Sequence, residues 1–270
     1  MSTPRASGLA AIPGKARERG AGHRLWMFDF DNTLAPLEPA VDWAAGRREL
    51  QAWLAAAGIA PALFEEIPRG NLLLYEALRA RLAAGGEPAH ATWPEAARAA
   101  FAREARGGAA AALLDGACAI IERYELAGVD AVSPAPGALE LLGALRAAGA
   151  AIAIVTSNSS RTVAAWMRAR GAAGLVDRIV GRDSRLALKP SPATLERALA
   201  DARLEPSQAA FVGDSESDLR AAAAARVRFY GVNARPQGRE RLVALGASPV
   251  FASPAEMSLH LGLAPRNAAD

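Results

Sequence analysis

Two carboxylates separated by one residue close a short apolar run at Asp29-Phe30-Asp31-Asn32-Thr33. Three further polar signals stand in comparable places far along the chain: Thr156 ends a second apolar run, Lys189 lies in a loop, and Gly213-Asp214 ends a third run. In an open α/β sheet, ligands bind outside the carboxyl ends of the strands, so side chains from such distant stretches can meet in one crevice. The chemistry they can share is phosphoryl transfer through an aspartate. A carboxylate that attacks phosphorus forms an acyl phosphate and splits one hard displacement into two easier ones; Asp29 is the better candidate for that nucleophile. Asp31 would then protonate the leaving oxygen and later take a proton from the hydrolytic water, work typically worth ~10²–10⁴-fold in rate.

Carboxylates this close to a phosphate dianion repel it unless a cation intervenes, and Asp214 adds a third negative charge. Mg²⁺ suits such a site because it prefers oxygen ligands and commonly uses one or two carboxylates with substrate phosphate and water. Three histidines and one cysteine offer little for zinc. Lys189 can supply a fixed positive charge to phosphoryl oxygens, and the Thr156 hydroxyl a hydrogen bond. Ser157 and Asn158 follow Thr156 and either bind phosphate or form the turn that opens the next helix. Asp218 is open in the same way: Ser215-Glu216-Ser217-Asp218 reads as a capping box, and Asp218 either caps its helix or supports the metal.

The elements that must position these groups are legible as a rhythm. Arg24 to Asp29 and Ala150 to Thr156 are short apolar runs of the kind that make buried strands, and a helix over Gly137 to Ala148 precedes the second. Beyond Thr156 the pattern predicts helix Arg161 to Arg170, strand Arg178 to Val180, helix Pro192 to Arg203 and strand Ala209 to Val212. Helix Glu216 to Ala225 and strand Val227 to Val232 follow, with a last short strand over Pro249 to Ala252 and a helix over Ala255 to Leu261. Alternating strands and helices imply a mostly parallel sheet covered on both faces, an α/β core of Rossmann-like kind. Residues 35–132 break the rhythm with helical patterns over Asn71 to Ala84 and Ala109 to Ala127 and a capping box at Thr92-Trp93-Pro94-Glu95, and read as an inserted α-helical domain. Pro36 and Pro39 on one side, Pro134 and Pro136 on the other, suggest stiff hinge strands between this insert and a core formed by residues 24–34 and 133–270.

Composition excludes several classes. The chain has 270 residues, 51% of them hydrophobic, which is enough for a large buried core. No apolar stretch approaches the ~20 residues that span a bilayer. Its net charge of +3 is spread as scattered arginines with no basic run, so nucleic acid is not an expected partner. The lone Cys118 cannot form an internal disulfide, which fits a reducing cytoplasm. Residues 1–23 are basic and rich in Ala and Gly, lack the apolar segment of a secretory signal, and read as a disordered leader.

The motifs taken together resemble those of the haloacid dehalogenase superfamily: D-x-D-x-T at Asp29 to Thr33, the strand ending in Thr156, Lys189-Pro190, and Gly213-Asp214-Ser215-Glu216-Ser217-Asp218. The resemblance runs from about Leu25 to Val232. An insert between the first two motifs, with Pro136 to Leu142 leading back to the core, is similar to the helical-cap subfamily that includes phosphoglycolate phosphatases. That resemblance implies a Rossmann-like core, Mg²⁺ dependence and a cap that closes over a small phosphorylated metabolite. It implies Asp29 as nucleophile, Asp31 as acid and base, and Thr156 and Lys189 as phosphate ligands. Asp214, Asp29 and the backbone carbonyl of Asp31 would hold the metal. An aspartate at position 31 favours phosphate esters over the dehalogenase and phosphonatase chemistries of this fold, while Asn32 and Ser191 depart from the common D-G-T and K-P-H-P patterns at positions dominated by backbone. From the cap, Arg69 beside Gly70 is the preferred substrate contact, a solvated surface arginine being the other reading.

Three functions remain in play on sequence alone. The leading one is a phosphatase acting on phosphoglycolate, a sugar phosphate or a nucleotide. A phosphomutase of the β-phosphoglucomutase type would use the same aspartyl phosphate, and a non-catalytic ligand-binding protein would keep the fold without turnover. Oligomeric state is not written in the sequence.

Overall fold

The computed structural model describes residues 22–57, 70–83 and 108–263. Arg69, the Thr92 to Glu95 capping box and the leader up to residue 21 lie outside the described residues.

Six parallel strands form one sheet in the order β3-β2-β1-β4-β5-β6. They are β1 (Leu25–Phe28), β2 (Ala151–Val155), β3 (Arg178–Val180), β4 (Ala209–Gly213), β5 (Arg228–Val232) and β6 (Val250–Phe251). The central strands β1, β2 and β4 are buried at every residue. A strand covered on both faces has no polar side to show, which is why these segments read as unbroken apolar runs. The architecture is the Rossmann-like α/β fold expected from the sequence.

Alternate residues of β1 enter two separate cores. Trp26 and Phe28 pack with helices α4 (Ala138–Ala147), α5 (Ser160–Ala169) and α9 (Pro254–His260) through Leu141, Leu142, Val163, Trp166 and Met257. Leu25 and Met27 pack with α6 (Ala193–Ala202), α7 (Glu216–Ala224) and α8 (Pro236–Ala244) through Leu195, Leu199, Ala221, Ala222 and Leu242. Burying a Leu, Phe or Met side chain stabilises by ~1.5–3 kcal/mol, so both faces hold β1 at the centre of the sheet.

Between β1 and β2 the described residues form α1 (Trp43–Ala56), α2 (Asn71–Ala83) and α3 (Gly108–Gly128). These helices share a third core of Leu50, Leu54, Leu74, Tyr75, Leu78, Leu113, Ala117 and Ile121, which also takes in Leu188 from the α/β layer. The proline-bearing connections differ from the expected stiff strands. Glu38–Ala40 is a 3-10 turn, because Pro39 fixes a turn-compatible φ, and the return connection is held by the Ala135 amide donating to the Leu34 carbonyl. The two connections therefore run side by side.

Candidate functional site

The register sets the site. Phe28 pairs with Ile154 on one side and Val212 on the other, so Asp29 continues β1 at the level of Gly213 while Thr156 ends β2 beside it. Asp214, Lys189 and Asp218 come to the same edge from β4, from the loop before α6 and from the first turn of α7.

Lys189 is the hub. Its Nζ lies 2.6 Å from Asp29 Oδ1 and 2.5 Å from Asp218 Oδ1, and its side chain is 4% exposed. Asp29, Asp214 and Asp218 each present an oxygen within 4.8 Å of the others'. Asp218 takes the capping role, one of the two that the sequence left open. Its Oδ2 accepts from the Ser215 amide and hydroxyl as half of a capping box, and its Oδ1 faces Lys189. Gly213 permits this approach: a Cβ there would stand 2.6 Å from both Cβ and Cγ of Asp218.

The electrostatics follow from burial. Desolvation pushes Asp29 up to about 7, opposed by the Lys189 charge and reinforced by Asp218. Desolvation, with the repulsion of Asp29 and Asp218, pushes Asp214 up to about 8. Asp31 rises to about 6, again through desolvation, although its Oδ1 accepts from the Leu37 amide at 2.8 Å and the Glu38 amide at 3.0 Å. Burial works against the Lys189 charge, but the Asp218 and Asp29 carboxylates outweigh it and hold its pKa above the ordinary lysine value. Three crowded carboxylates, all oxygen donors, face one ammonium. That donor set fits a hard divalent cation, because a second positive charge would relieve the repulsion that raises Asp29 and Asp214.

The loop beyond β2 is differently built. Thr156 is buried, and its hydroxyl donates to Asn158 Oδ1 at 3.0 Å while accepting from the Asn158 amide at 3.1 Å. Asn158 turns inward: its Nδ2 donates to Glu125 Oε1 at 3.1 Å, which ties its side chain to the scaffold and accords with the turn-forming alternative of the two that the sequence left open. Ser157 keeps a half-buried side chain, and its carbonyl accepts from Arg182 Nη1 at 2.8 Å. Glu125 and Arg182 form a salt bridge with both side chains 0% exposed.

Sequence reasoning missed this pair. One signal for Glu125 was available: Glu122 and Glu125 fall on the same helical face as Cys118 and Ile121, which are buried, and acids on an apolar face need partners. Arg182 gave no comparable sign.

A cavity of about 670 Å³ opens beside Asp31, lined by Glu38, Trp43, Arg47, Gly70, Asn71 and Leu73. Arg47 Nη1 donates to the Gly70 carbonyl at 3.1 Å, and Asn71 Nδ2 to the Trp43 carbonyl at 3.0 Å. This cavity joins the helical insert to the edge of the sheet. Among the described residues, no helix is long and apolar enough to cross a membrane.

Residues 23–226 match the family described as haloacid dehalogenase-like hydrolase. A phosphoglycolate phosphatase of Pseudomonas putida is 32% identical over 209 residues, 77% of this chain and 69% of the relative. Another, of Rhodospirillum rubrum, is 37% identical over 127 residues, 47% of this chain and 52% of the relative, so the chain spans about half the length of that protein. Among solved structures, CbbY of Rhodobacter sphaeroides, a mutant in complex with xylulose-(1,5)bisphosphate, is 26% identical with a TM-score of 0.50, covering 87% of this chain and 96% of that one. A haloacid dehalogenase-like hydrolase of Streptococcus pneumoniae shares the fold at 15% identity and a TM-score of 0.50, covering 88% of this chain and 98% of that one.

Proposed function

The chain belongs to the haloacid dehalogenase-like hydrolase family, and from that premise we propose that it is a Mg²⁺-dependent phosphatase that hydrolyses a small phosphorylated metabolite through an aspartyl phosphate. The observation that carries this reading is the Lys189 ammonium lodged between Asp29 and Asp218, with Asp214 in the same cluster. A nucleophilic carboxylate, a fixed cation and carboxylates for a divalent ion are the parts that phosphoryl transfer through an aspartate requires.

In this reading an Asp29 oxygen attacks phosphorus while Asp31 gives its proton to the departing ester oxygen. The bond to the alcohol breaks and the phosphoryl group stays on Asp29. Asp31 then takes a proton from water as the water oxygen attacks phosphorus, and inorganic phosphate leaves with Asp29 restored. A pKa of about 6 for Asp31 supports both halves, since a group near neutrality both holds and releases a proton. Lys189 and Ser157 meet the phosphoryl oxygens, and Thr156 joins them by turning its one hydroxyl proton from Asn158 Oδ1 to the phosphate, while the Asn158 amide keeps its bond to the Thr156 oxygen. Asp29, Asp214 and the main-chain carbonyl of Asp31 would hold Mg²⁺, with Asp218 within reach. When bound, the ion neutralises phosphate charge and orients the phosphoryl group.

The insert, taken as residues 35–132, acts as a cap over the core of residues 24–34 and 133–270. The leaving group occupies the cavity between Asp31 and Arg47, whose guanidinium suits an anionic or hydroxylated metabolite. Relatives that bear the name phosphoglycolate phosphatase put 2-phosphoglycolate first among substrates to try, and the CbbY complex adds sugar bisphosphates. A cytoplasmic setting agrees with a single buried cysteine that no internal disulfide can use.

The test is phosphate release from a panel of phosphorylated metabolites with and without Mg²⁺, comparing wild type with Asp29→Asn. Metal-dependent release that vanishes in Asp29→Asn is expected, with the variant's melting temperature at or above wild type because a buried charge has been removed. An isomerised sugar phosphate without free phosphate would replace hydrolysis by mutase chemistry. Full activity in Asp29→Asn would remove the nucleophile assignment.

A further inference from the structure

The Glu125 and Arg182 pair is buried beside the loop that follows β2, and its hydrogen bonds are directed at that loop. Glu125 belongs to α3, in the insert, and its carboxylate accepts five hydrogen bonds. Two come from Arg182, Nη1 at 2.8 Å and Nη2 at 3.1 Å. The other three come from Asn158 Nδ2 at 3.1 Å, the Ser159 amide at 3.1 Å and the Thr162 hydroxyl at 3.0 Å. Arg182 Nη1 also donates to the Ser157 carbonyl at 2.8 Å, and the Arg182 amide donates to the Asn158 carbonyl at 2.9 Å. Gly181 lets the two segments touch: a Cβ there would lie 2.4 Å from the Ser160 nitrogen and 2.7 Å from the Asn158 oxygen. From a second helix of the insert, the Tyr75 hydroxyl donates to the Arg182 carbonyl at 3.1 Å.

Every residue from Ser157 to Ser159 is thus gripped, at side chain or backbone, by Glu125 or Arg182, and Thr156 is held one bond further on through Asn158. A bidentate guanidinium fixes both distance and plane, which a point charge cannot do. We propose that Glu125 and Arg182 are positioning residues: they set the loop Thr156 to Ser159 in the geometry that receives the phosphoryl oxygens, and they make that geometry depend on the seating of α3 against the sheet. The inference rests on the phosphatase reading above.

Arg182→Lys tests it, because lysine retains the buried cation for Glu125 and loses the fork that also holds Ser157. The charge-free double variant Glu125→Gln with Arg182→Gln keeps hydrogen-bonding groups and leaves no buried charge uncompensated, so one of the two can be measured if the other does not fold. The readouts are kcat/KM, the inhibition constant for orthovanadate, and the Mg²⁺ concentration for half-maximal activity. Misplacing the phosphate donors is expected to lower kcat/KM by roughly 10²-fold. The vanadate constant should rise on the order of tenfold while the Mg²⁺ requirement stays within about twofold, since the pair touches the loop and not the carboxylates.

A lowered melting temperature with kcat/KM and the vanadate constant both within about twofold of wild type would overturn the proposal and leave the pair a structural one. A parallel shift in the Mg²⁺ requirement would also overturn it, because the pair would then act through Asp29 and Asp214. Were the wild type to release no phosphate, the phosphatase reading alone would fall, and vanadate affinity by calorimetry would still compare the variants: weaker binding would support the positioning role and equal binding would end it.

Discussion

Two buried clusters of charge lie at neighbouring strand ends, and they are built on opposite terms. At the ends of β1 and β4, Asp29, Asp214 and Asp218 share one ammonium, and the pKa values of Asp29 and Asp214 are pushed up to about 7 and about 8. At the ends of β2 and β3, Glu125 meets one guanidinium in a bidentate pair, and both its oxygens are filled by hydrogen-bond donors. The first cluster is short of positive charge; the second is matched in charge, with both Glu125 oxygens filled and Arg182 Nε left as its one buried donor without a partner. Imbalance held inside a protein marks the place where a ligand is to supply what is missing, whereas balance marks scaffold.

The largest effect that can break this comparison is removal of one partner from the balanced cluster. Arg182→Met leaves the Glu125 carboxylate buried and uncompensated and should destabilise the fold by about 3–5 kcal/mol, read by denaturant unfolding. A loss under about 1 kcal/mol would mean that water reaches Glu125 and that the cluster is not closed. In the unbalanced cluster, Lys189→Met should lower kcat by roughly 10²–10³-fold, because a preorganised charge at the phosphoryl oxygens is gone. Unchanged turnover would move the stabilising cation elsewhere.

The imbalance also has a sign. A carboxyl group whose folded pKa lies above its unfolded value binds more protons when folded, so its contribution falls as pH rises. For Asp214 the window runs from the unfolded value near 4 to about 8. The metal-free protein should therefore melt lower at pH 8 than at pH 5. Mg²⁺ at about 100 times its dissociation constant should restore about 2.7 kcal/mol at pH 8, and the same concentration less at pH 5, where Asp29 and Asp214 are largely protonated. Equal Mg²⁺ stabilisation at both values would show that Asp29 and Asp214 are not the ligands. The smallest test is Ser215→Ala, which removes the hydroxyl that bonds Asp218 Oδ2 at 2.6 Å and should cost about 1 kcal/mol as a lost helix cap. A fall in kcat beyond that loss of stability would mean that Ser215 also aims Asp218 at Lys189.

The unbalanced cluster was the more legible of the two. Polar residues that end apolar runs stand out against their surroundings, and both Asp29 and Asp214 do so in their own stretches of sequence. Bounds of the helices that were read held to within a residue or two, as in α5, expected from Arg161 and found from Ser160, whereas α1 and α8 were not read at all. Capping chemistry at Ser215 and Asp218 was readable too, yet the contact of Asp218 with Lys189 was not, because it depends on how α7 meets the loop before α6. The balanced pair was the hardest to read. Glu125 and Arg182 are 57 residues apart, on elements brought together only by the folded sheet; Glu125 shows an acid on an apolar helical face without naming its partner, and Arg182 looks like any solvated side chain. Prolines marked the two connections between insert and core, but proline restricts φ without choosing between a strand and a turn, and a 3-10 turn at Glu38–Ala40 resulted.

Leu188 carries a consequence for how such a protein can be recombined. It belongs to the segment leading to Lys189, yet it is buried among the helices of the insert, and its amide donates to Glu76 Oε2 at 3.3 Å. A helical insert transplanted from a relative would have to bring a matching socket for that leucine, or the neighbouring lysine would lose its footing. The insert is therefore not an interchangeable module, and chimaeras that exchange it should be joined with Leu188 and its socket moved as one unit.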